Sequence, residues 1–268
     1  MMDIAARSGS FTLNWARYLG QLFILWAQTM ACAVTPPFKG ERSLAQAVRI
    51  GPGSFVIAAL VAFFVGMIIA LQMAYQMVQL SAEIYIPNII AVSLTRELAP
   101  VLTALIVAGR IGAGIAAEIG SMVVTEQVDA LKAFAVNPVK YLVVPRFVGL
   151  LIMLPALTMF ADIIGIWGGY VICVFKLHIS HEMFWRMVFH ALTMKDIVTG
   201  LVKTVFFGMI IAIVGCHQGL MVRGGAEGVG KATTTAGTRT AAAARVRRGP
   251  SLTAAHHVWA LRSALARD

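Results

Sequence analysis

The sequence predicts an all-α integral membrane protein, and three observations support this fold class. Of the 268 residues, 59% are hydrophobic. Only 13% are charged, whereas about a quarter are charged in typical soluble domains. The apolar residues form blocks long enough to cross a bilayer, for which a helix needs about 20 residues. A soluble helical protein fits poorly, because its buried helices would show apolar runs of about 10 to 14 residues.

The N-terminal part, residues 1–49, is expected to form an interfacial helix followed by a linker. Residues 11–32 are too polar to span a bilayer comfortably, but they carry apolar residues at helical spacing: Trp15, Leu19, Leu22, Phe23 and Trp26. This pattern fits a helix lying in the membrane interface, and it fits a helix packed on the core of the same protein equally well. Two prolines in residues 35–40 are expected to end this helix, because proline lacks a backbone N–H.

Residues 50–236 are expected to form the membrane domain, with four transmembrane helices. The first apolar block carries no charged residue, and the other three contain only isolated charges. The blocks are residues 50–82, 98–125, 147–175 and 197–222. Pro87 and Asn88 predict the turn between the first two spans.

Charged residues inside the apolar blocks are functional candidates, because insertion of a charge at the membrane centre costs at least about 2.5 kcal/mol. Arg110 and Glu118 lie eight positions apart, on nearly the same helix face, so we expect them to face protein or water. Arg110 close to a helix end could also snorkel to the interface. Asp162 and Lys203 could each pair with another helix, line a cavity or lie near an interface.

A stripe of small residues runs along the second block. Ala108, Gly112, Ala116 and Gly120 recur every four residues. Such stripes allow two helices to approach closely in a membrane. We therefore expect this helix to pack tightly against a partner helix.

The distribution of basic residues predicts that the N-terminus is cytoplasmic, because cytoplasmic loops carry an excess of Lys and Arg. This orientation places eight basic residues inside: Arg7, Arg17, Lys39, Arg42 and Arg49 of the N-terminal part, and Lys132, Lys140 and Arg146 of the polar segment 124–146. Fewer basic residues remain for the outer loops, namely Arg96, Lys176, Arg186 and Lys195. The basic residues do not form one stripe with interleaved aromatics, so the net charge of +10 does not indicate nucleic acid.

Enzyme chemistry has little support in the sequence. Residues 225–232 nearly match a phosphate-binding loop, but Ala232 stands where a hydroxyl residue should bind magnesium, and a membrane helix precedes the loop. The histidines near Glu182 lack metalloprotease spacing; an amphipathic helix with Phe184, Trp185 and Val188 facing lipid explains them better. The three cysteines share no close spacing, so no metal site or disulfide framework is predicted.

The last segment, residues 237–268, is expected to be a basic, low-complexity tail rich in Ala and Arg. It contains no apolar block of spanning length.

The chain resembles the MlaE family of permeases over a long segment, residues 97–146, which reads ELAPVLTALIVAGRIGAGIAAEIGSMVVTEQVDALKAFAVNPVKYLVVPR. A second segment, GLMVRGGAEGVGKATTTA at residues 219–236, is similar to the family's loop after the fourth span. The resemblance implies a subunit without catalytic chemistry in an ABC transporter of the bacterial inner membrane. The complex would move phospholipid between inner and outer membranes and support outer-membrane lipid asymmetry.

The resemblance also implies partners and site residues. The permease would form a homodimer with a cytoplasmic MlaF-like ATPase, a STAS-domain MlaB-like subunit and a periplasmic, hexameric MCE-domain MlaD-like protein. ATP and magnesium would be bound by the ATPase and no cofactor by this chain. Glu126, Asp129 and Lys132 match the family's coupling helix, which would dock on the ATPase; an ordinary solvated loop is the alternative. Candidates for the lipid pathway are Arg96, Glu97 and Lys203, with structural pairing between helices as the alternative.

The chain departs from the family where a fifth span would follow residues 232–236, because the Ala/Arg-rich tail stands there instead. We hypothesise a frameshift or altered C-terminus, which resequencing through this point would test. Two further readings stay open. One is a truncated family member that inserts without transporting, and the other is an intramembrane lipid-acting enzyme using Glu118 or Asp162, for which no recognisable catalytic spacing is present.

Overall fold

The computed structural model describes residues 2–35, 40–222, 228, 230, 232–236 and 238. All regular secondary structure in this part of the chain is helical. Of the predicted tail, residues 237–268, only Thr238 is described. Most of residues 35–40 and 223–231 also lie outside the described residues. The α-helices are α1 (Met2–Val34), α2 (Gly40–Met77), α3 (Ile86–Ser93), α4 (Ala99–Val107), α5 (Ala113–Val124), α6 (Gln127–Ala133), α7 (Val144–Phe175), α8 (His181–Ala191) and α9 (Met194–Leu220).

Four helical stretches of the described chain are long and apolar enough to cross a membrane, which confirms the predicted number. They are Ser43–Leu80, Glu83–Val124, Val139–Phe175 and Met194–Leu220. The second stretch is continuous because π-helical segments at Leu94–Leu98 and Ala108–Gly112 join α3, α4 and α5. Antiparallel neighbours give the bundle two ends, called here the α6 end and the α8 end after the short helices found there.

The predicted linker before residue 50 is wrong for residues 40–49, because α2 begins at Gly40 and continues through Pro52. The glycines beside this proline serve helix packing. A Cβ atom on Gly51 would collide with Met153 of α7, and one on Gly53 would collide with the Arg110 guanidinium. These glycines therefore leave room for the flexible ends of the Met153 and Arg110 side chains beside Pro52.

The turn between the first two spans lies earlier than predicted. Ser81 adopts a left-handed conformation with φ 52°, and Ala82 follows it before a short 3₁₀ segment, Glu83–Tyr85. Pro87 instead occupies the first turn of α3. Proline is tolerated there, because the amide of a first-turn residue has no intrahelical acceptor.

Backbone-to-backbone contact holds α2 against α7. A Cβ atom on Gly66 would overlap the carbonyl of Gly165, and one on Gly168 would overlap the carbonyl of Phe63. Small residues allow this approach in a membrane, where dispersion contacts between helices replace the hydrophobic effect.

The amphipathic helix α8 buries in protein the face that was predicted to face lipid. Phe184 is fully buried and Val188 is buried, both within an apolar cluster that includes Ile86 and Ile90 of α3. Phe189 on the other face is 72% exposed. Ser180 caps the helix by accepting a hydrogen bond from the Met183 amide. The expectation that Phe184 and Val188 face lipid is therefore wrong, because α8 covers the end of α3 and α7.

Helix α1 packs on the bundle, as one of the two predicted alternatives requires. Leu25 and Thr29 are buried against the bundle, and Gln218 of α9 donates a hydrogen bond to the Tyr18 hydroxyl. The opposite side remains apolar and exposed, with Phe23 at 65%. The helix thus packs on the core through one face and presents an apolar face outward.

Candidate functional site

The charged pair predicted for the lipid pathway lies at the α8 end, on the π-helical segment Leu94–Leu98. Pro100 stands four residues after Arg96 and has no N–H, so the Arg96 carbonyl lacks its usual helical donor. The Nζ atom of Lys203 on α9 donates to that carbonyl at 2.8 Å. The same Nζ lies 2.6 Å from Oε1 of Glu97. The structure therefore brings all three predicted residues, Arg96, Glu97 and Lys203, into one group.

Asp196 is a fourth member of this group that the sequence analysis missed. Its Oδ1 lies 3.3 Å from Nε of Arg96. Its Oδ2 accepts hydrogen bonds from the Thr193 amide and hydroxyl at 3.1 and 2.6 Å, and this capping box starts α9. A threonine followed three residues later by an acidic residue is the sequence signal that could have identified it.

The α8-end group, defined as Arg96, Glu97, Asp196 and Lys203, contains two cations and two anions. Glu97 and Arg96 are largely exposed, while Lys203 and Asp196 are partly covered. Gly200 allows close contact at this point, because a Cβ atom there would overlap the Thr95 carbonyl. The group joins α9 to the second span, and its charged side chains are of the types that form strong hydrogen bonds with polar ligands.

The candidate coupling segment forms a short helix at the α6 end, where α6 follows α5 after Thr125 and Glu126. Glu126 has a positive φ of 59°, which turns the chain sharply between the two helices. Asp129 and Lys132 are exposed and pair with each other at 2.7 Å. Phe134 follows α6 and is 81% exposed, an apolar contact residue that the sequence analysis did not single out.

Glu118 connects three helices at the α6 end. Its Oε1 accepts a hydrogen bond from Arg49 of α2 at 2.9 Å, and its Oε2 lies 3.3 Å from Nη2 of Arg146 on α7. Arg110 donates to the Ser54 hydroxyl of α2 at 3.2 Å. Glu118 therefore faces protein, within the expectation of protein or water, and the sequence did not identify its partners. Arg110 contacts Ser54 but is an exposed residue.

The predicted small-residue stripe lies between α5 and α9. Ala108, Gly112, Ala116 and Gly120 are all buried. A Cβ atom placed on Gly215 of α9 would lie 3.0 Å from the Gly112 carbonyl, and one on Gly219 would lie 3.1 Å from the Ala116 carbonyl. Glycines on α9 thus face the stripe.

Among the described residues, the other candidates for metal binding or catalysis do not lie together in one site. In the part of the chain that the structure describes, no group of three His, Cys, Asp or Glu residues could hold a metal ion. His181 instead lies 3.0 Å from the Tyr170 hydroxyl. Asp162 is separate from the charged groups described above, and its Oδ1 has no hydrogen-bond partner among the described residues.

Comparisons with known proteins identify the family of this chain. The sequence model of a family described as "Permease MlaE" matches residues 43–245. A probable ABC transporter permease protein of Rickettsia felis is 41% identical over 236 residues, which cover 88% of this chain and 91% of the relative. A protein of the same description from Synechocystis is 42% identical over 222 residues, covering 83% and 84%. The chain, a multi-pass membrane protein and transporter subunit, therefore belongs to the MlaE permease family.

Proposed function

We propose that this chain forms the membrane pathway of an ABC transporter that moves phospholipids between the inner and outer membranes. Its role is to maintain the lipid asymmetry of the outer membrane. The observation that carries the proposal is the α8-end group, which presents two cations and two anions at one end of a permease. Arginine and lysine can bind a headgroup phosphate, while the carboxylates can accept from a headgroup amine.

The proposed orientation places the N-terminus and the α6 end in the cytoplasm and the α8 end in the periplasm. Two copies of the permease pair in the inner membrane. A separate MlaF-like ATPase, which binds ATP and magnesium, docks on α6 at residues Glu126, Asp129 and Lys132. A STAS-domain MlaB-like subunit binds the ATPase, and a hexameric MCE-domain MlaD-like protein continues the lipid path from the α8 end.

The mechanism needs no catalytic residue in this chain. The headgroup competes for the polar atoms of the Glu97–Lys203 and Arg96–Asp196 pairs, so these pairs separate as it binds. Because each pair also joins α9 to the second span, headgroup binding and opening of the α8 end are coupled. ATP hydrolysis in the partner then acts through α6 to reset the bundle.

The test is purification of the chain from membranes with its candidate ATPase and MCE partners, followed by phospholipid analysis of the complex. We expect an assembled complex with bound phospholipid, and a loss of phospholipid in Glu97→Gln and Lys203→Met. Lys176→Ala is the matched control, because Lys176 is exposed at the same end but outside the group. Stable insertion without assembly would retain the family and withdraw the transport proposal.

A further inference from the structure

The segment between Glu118 and Arg146, called here the α6 hairpin, is closed at its base by an ion pair. Nη2 of Arg146 lies 3.3 Å from Oε2 of Glu118. Glu118 lies on α5, which runs into α6, and Arg146 lies at the start of α7, which leaves the hairpin. The two residues therefore join α5 and α7, the helices that connect α6 to the rest of the bundle.

We propose that Glu118 and Arg146 are positioning residues that make α5 and α7 follow α6 as one body when a partner ATPase moves it. This inference rests on the proposed function, because it needs an ATPase docked on α6. It concerns transmission of the movement and is independent of the α8-end group.

The burial of Arg146 makes its ion pair with Glu118 difficult to separate. Only 4% of its side chain is exposed, and Glu118 is its sole ion-pair partner among the described residues. Nη1 also donates to the Leu142 carbonyl at 2.9 Å, while Nε has no partner in the described chain. A buried charge whose partner is removed is left uncompensated, so separation of this pair is strongly resisted.

The second guanidinium on Glu118 supplies an internal control. Arg49 of α2 lies 2.9 Å from Oε1, but 68% of its side chain is exposed. Exposed ion pairs contribute little, because solvent screens them and side-chain entropy opposes them. The hairpin should therefore depend on the pair with Arg146 and hardly at all on the pair with Arg49.

The spacing between Glu118 and α6 favours transmission. Glu118 lies less than two turns before the end of α5 at Val124, and only Thr125 and Glu126 separate α5 from α6. With so short a connection, displacement of α6 displaces α5 directly. Without the Glu118–Arg146 pair, the hairpin could bend at its base while α7 remained in place.

The experiment compares Glu118→Gln with Arg49→Gln in the complex reconstituted with its ATPase in bilayers. The readouts are the amount of ATPase retained, the stimulation of ATP hydrolysis by the permease, and the number of phospholipids moved per ATP. For Glu118→Gln we expect normal retention and at least about a fivefold loss of phospholipid moved per ATP, the lower end of usual coupling between two sites. Arg49→Gln should behave as wild type, and Glu118→Asp should restore part of the coupling.

If Glu118→Gln does not fold, Arg146→Gln supplies the same test, because it removes the cation of the pair while Glu118 keeps Arg49 as a partner. Normal coupling in Glu118→Gln or Arg146→Gln, or equal damage from Arg49→Gln, would overturn the proposal. If the wild-type chain stimulates its ATPase but moves no phospholipid, the proposed cargo is refuted. In that case, a loss of ATPase stimulation in Glu118→Gln would support the role of the Glu118–Arg146 pair, and unchanged stimulation would overturn it. A wild-type chain that binds no ATPase would overturn both.

Discussion

Lys203 donates to the backbone carbonyl of Arg96 at 2.8 Å, and this contact exists because Pro100 cannot supply the amide that a regular helix would provide. The ammonium group thus replaces a backbone hydrogen bond while it pairs with Glu97. The structural role of Lys203 therefore coincides with the headgroup-binding role proposed for it, and the two can be separated by mutation.

Pro100→Ala should reduce the structural cost of losing Lys203. In the wild-type background, Lys203→Met is expected to lower the free energy of unfolding by about 1.5 to 3 kcal/mol, the usual value of a hydrogen bond from a charged group. With alanine at position 100, the new amide can donate to the Arg96 carbonyl, so the same substitution should cost less than half as much. Reversible unfolding of the four proteins in a double-mutant cycle measures the difference. Equal costs in both backgrounds would contradict the assigned role of Pro100.

Gly168→Ala should destabilise the bundle because the added methyl group would collide with the Phe63 carbonyl of α2. Overpacking of this kind costs about 1 to 3 kcal/mol. Gly109→Ala is the matched control, since nothing lies within 4 Å of its added Cβ atom. Alanine there should be neutral or stabilise the helix by up to about 1 kcal/mol. Thermal unfolding in detergent compares them, and similar stability losses would argue against the α2–α7 contact.

Asp162→Val should stabilise the protein in a bilayer. The carboxyl lies within the third span, and its Oδ1 is buried without a hydrogen-bond partner among the described residues. Removing a charged group from the membrane interior is worth about 2.5 kcal/mol on insertion scales. The midpoint of unfolding should therefore rise, whereas Asp129→Val on the exposed surface of α6 should not raise it. A lower midpoint for Asp162→Val would indicate that the carboxyl has a partner in the assembled transporter.

Replacing both Glu126 and Asp129 with alanine should weaken association with the ATPase while leaving membrane insertion intact. Both residues lie at the exposed α6 end, and removal of Asp129 breaks only its own surface pair with Lys132. Surface pairs contribute little stability, about 1 kcal/mol or less. Co-purification of the ATPase measures the effect, with Glu83→Ala at the α8 end as the control. Undiminished co-purification would remove α6 from the docking surface.

Several features of the fold and the site could be predicted because they depend on local sequence. An apolar run such as residues 50–82 must cross the membrane whatever surrounds it, so the number of spans was predictable. Lys203 could be singled out because a charge within a span needs a partner, whereas Arg96 and Glu97 were indicated by the resemblance to the MlaE family. Asp196 was missed because an acidic residue in the first turn of α9 looks like an ordinary helix cap until Arg96 is brought beside it.

What the sequence alone determined is the membrane character of the chain, its four spans and the family to which it belongs, since run length and motif order do not depend on contacts. The folded structure was needed to show which charges meet, because Glu118, Arg49 and Arg146 are far apart in the chain. It likewise decided that α8 turns Phe184 inward, because an amphipathic helix can bury its apolar face in lipid or in protein. Periodicity describes one helix, whereas the side that is buried depends on which neighbours pack against it.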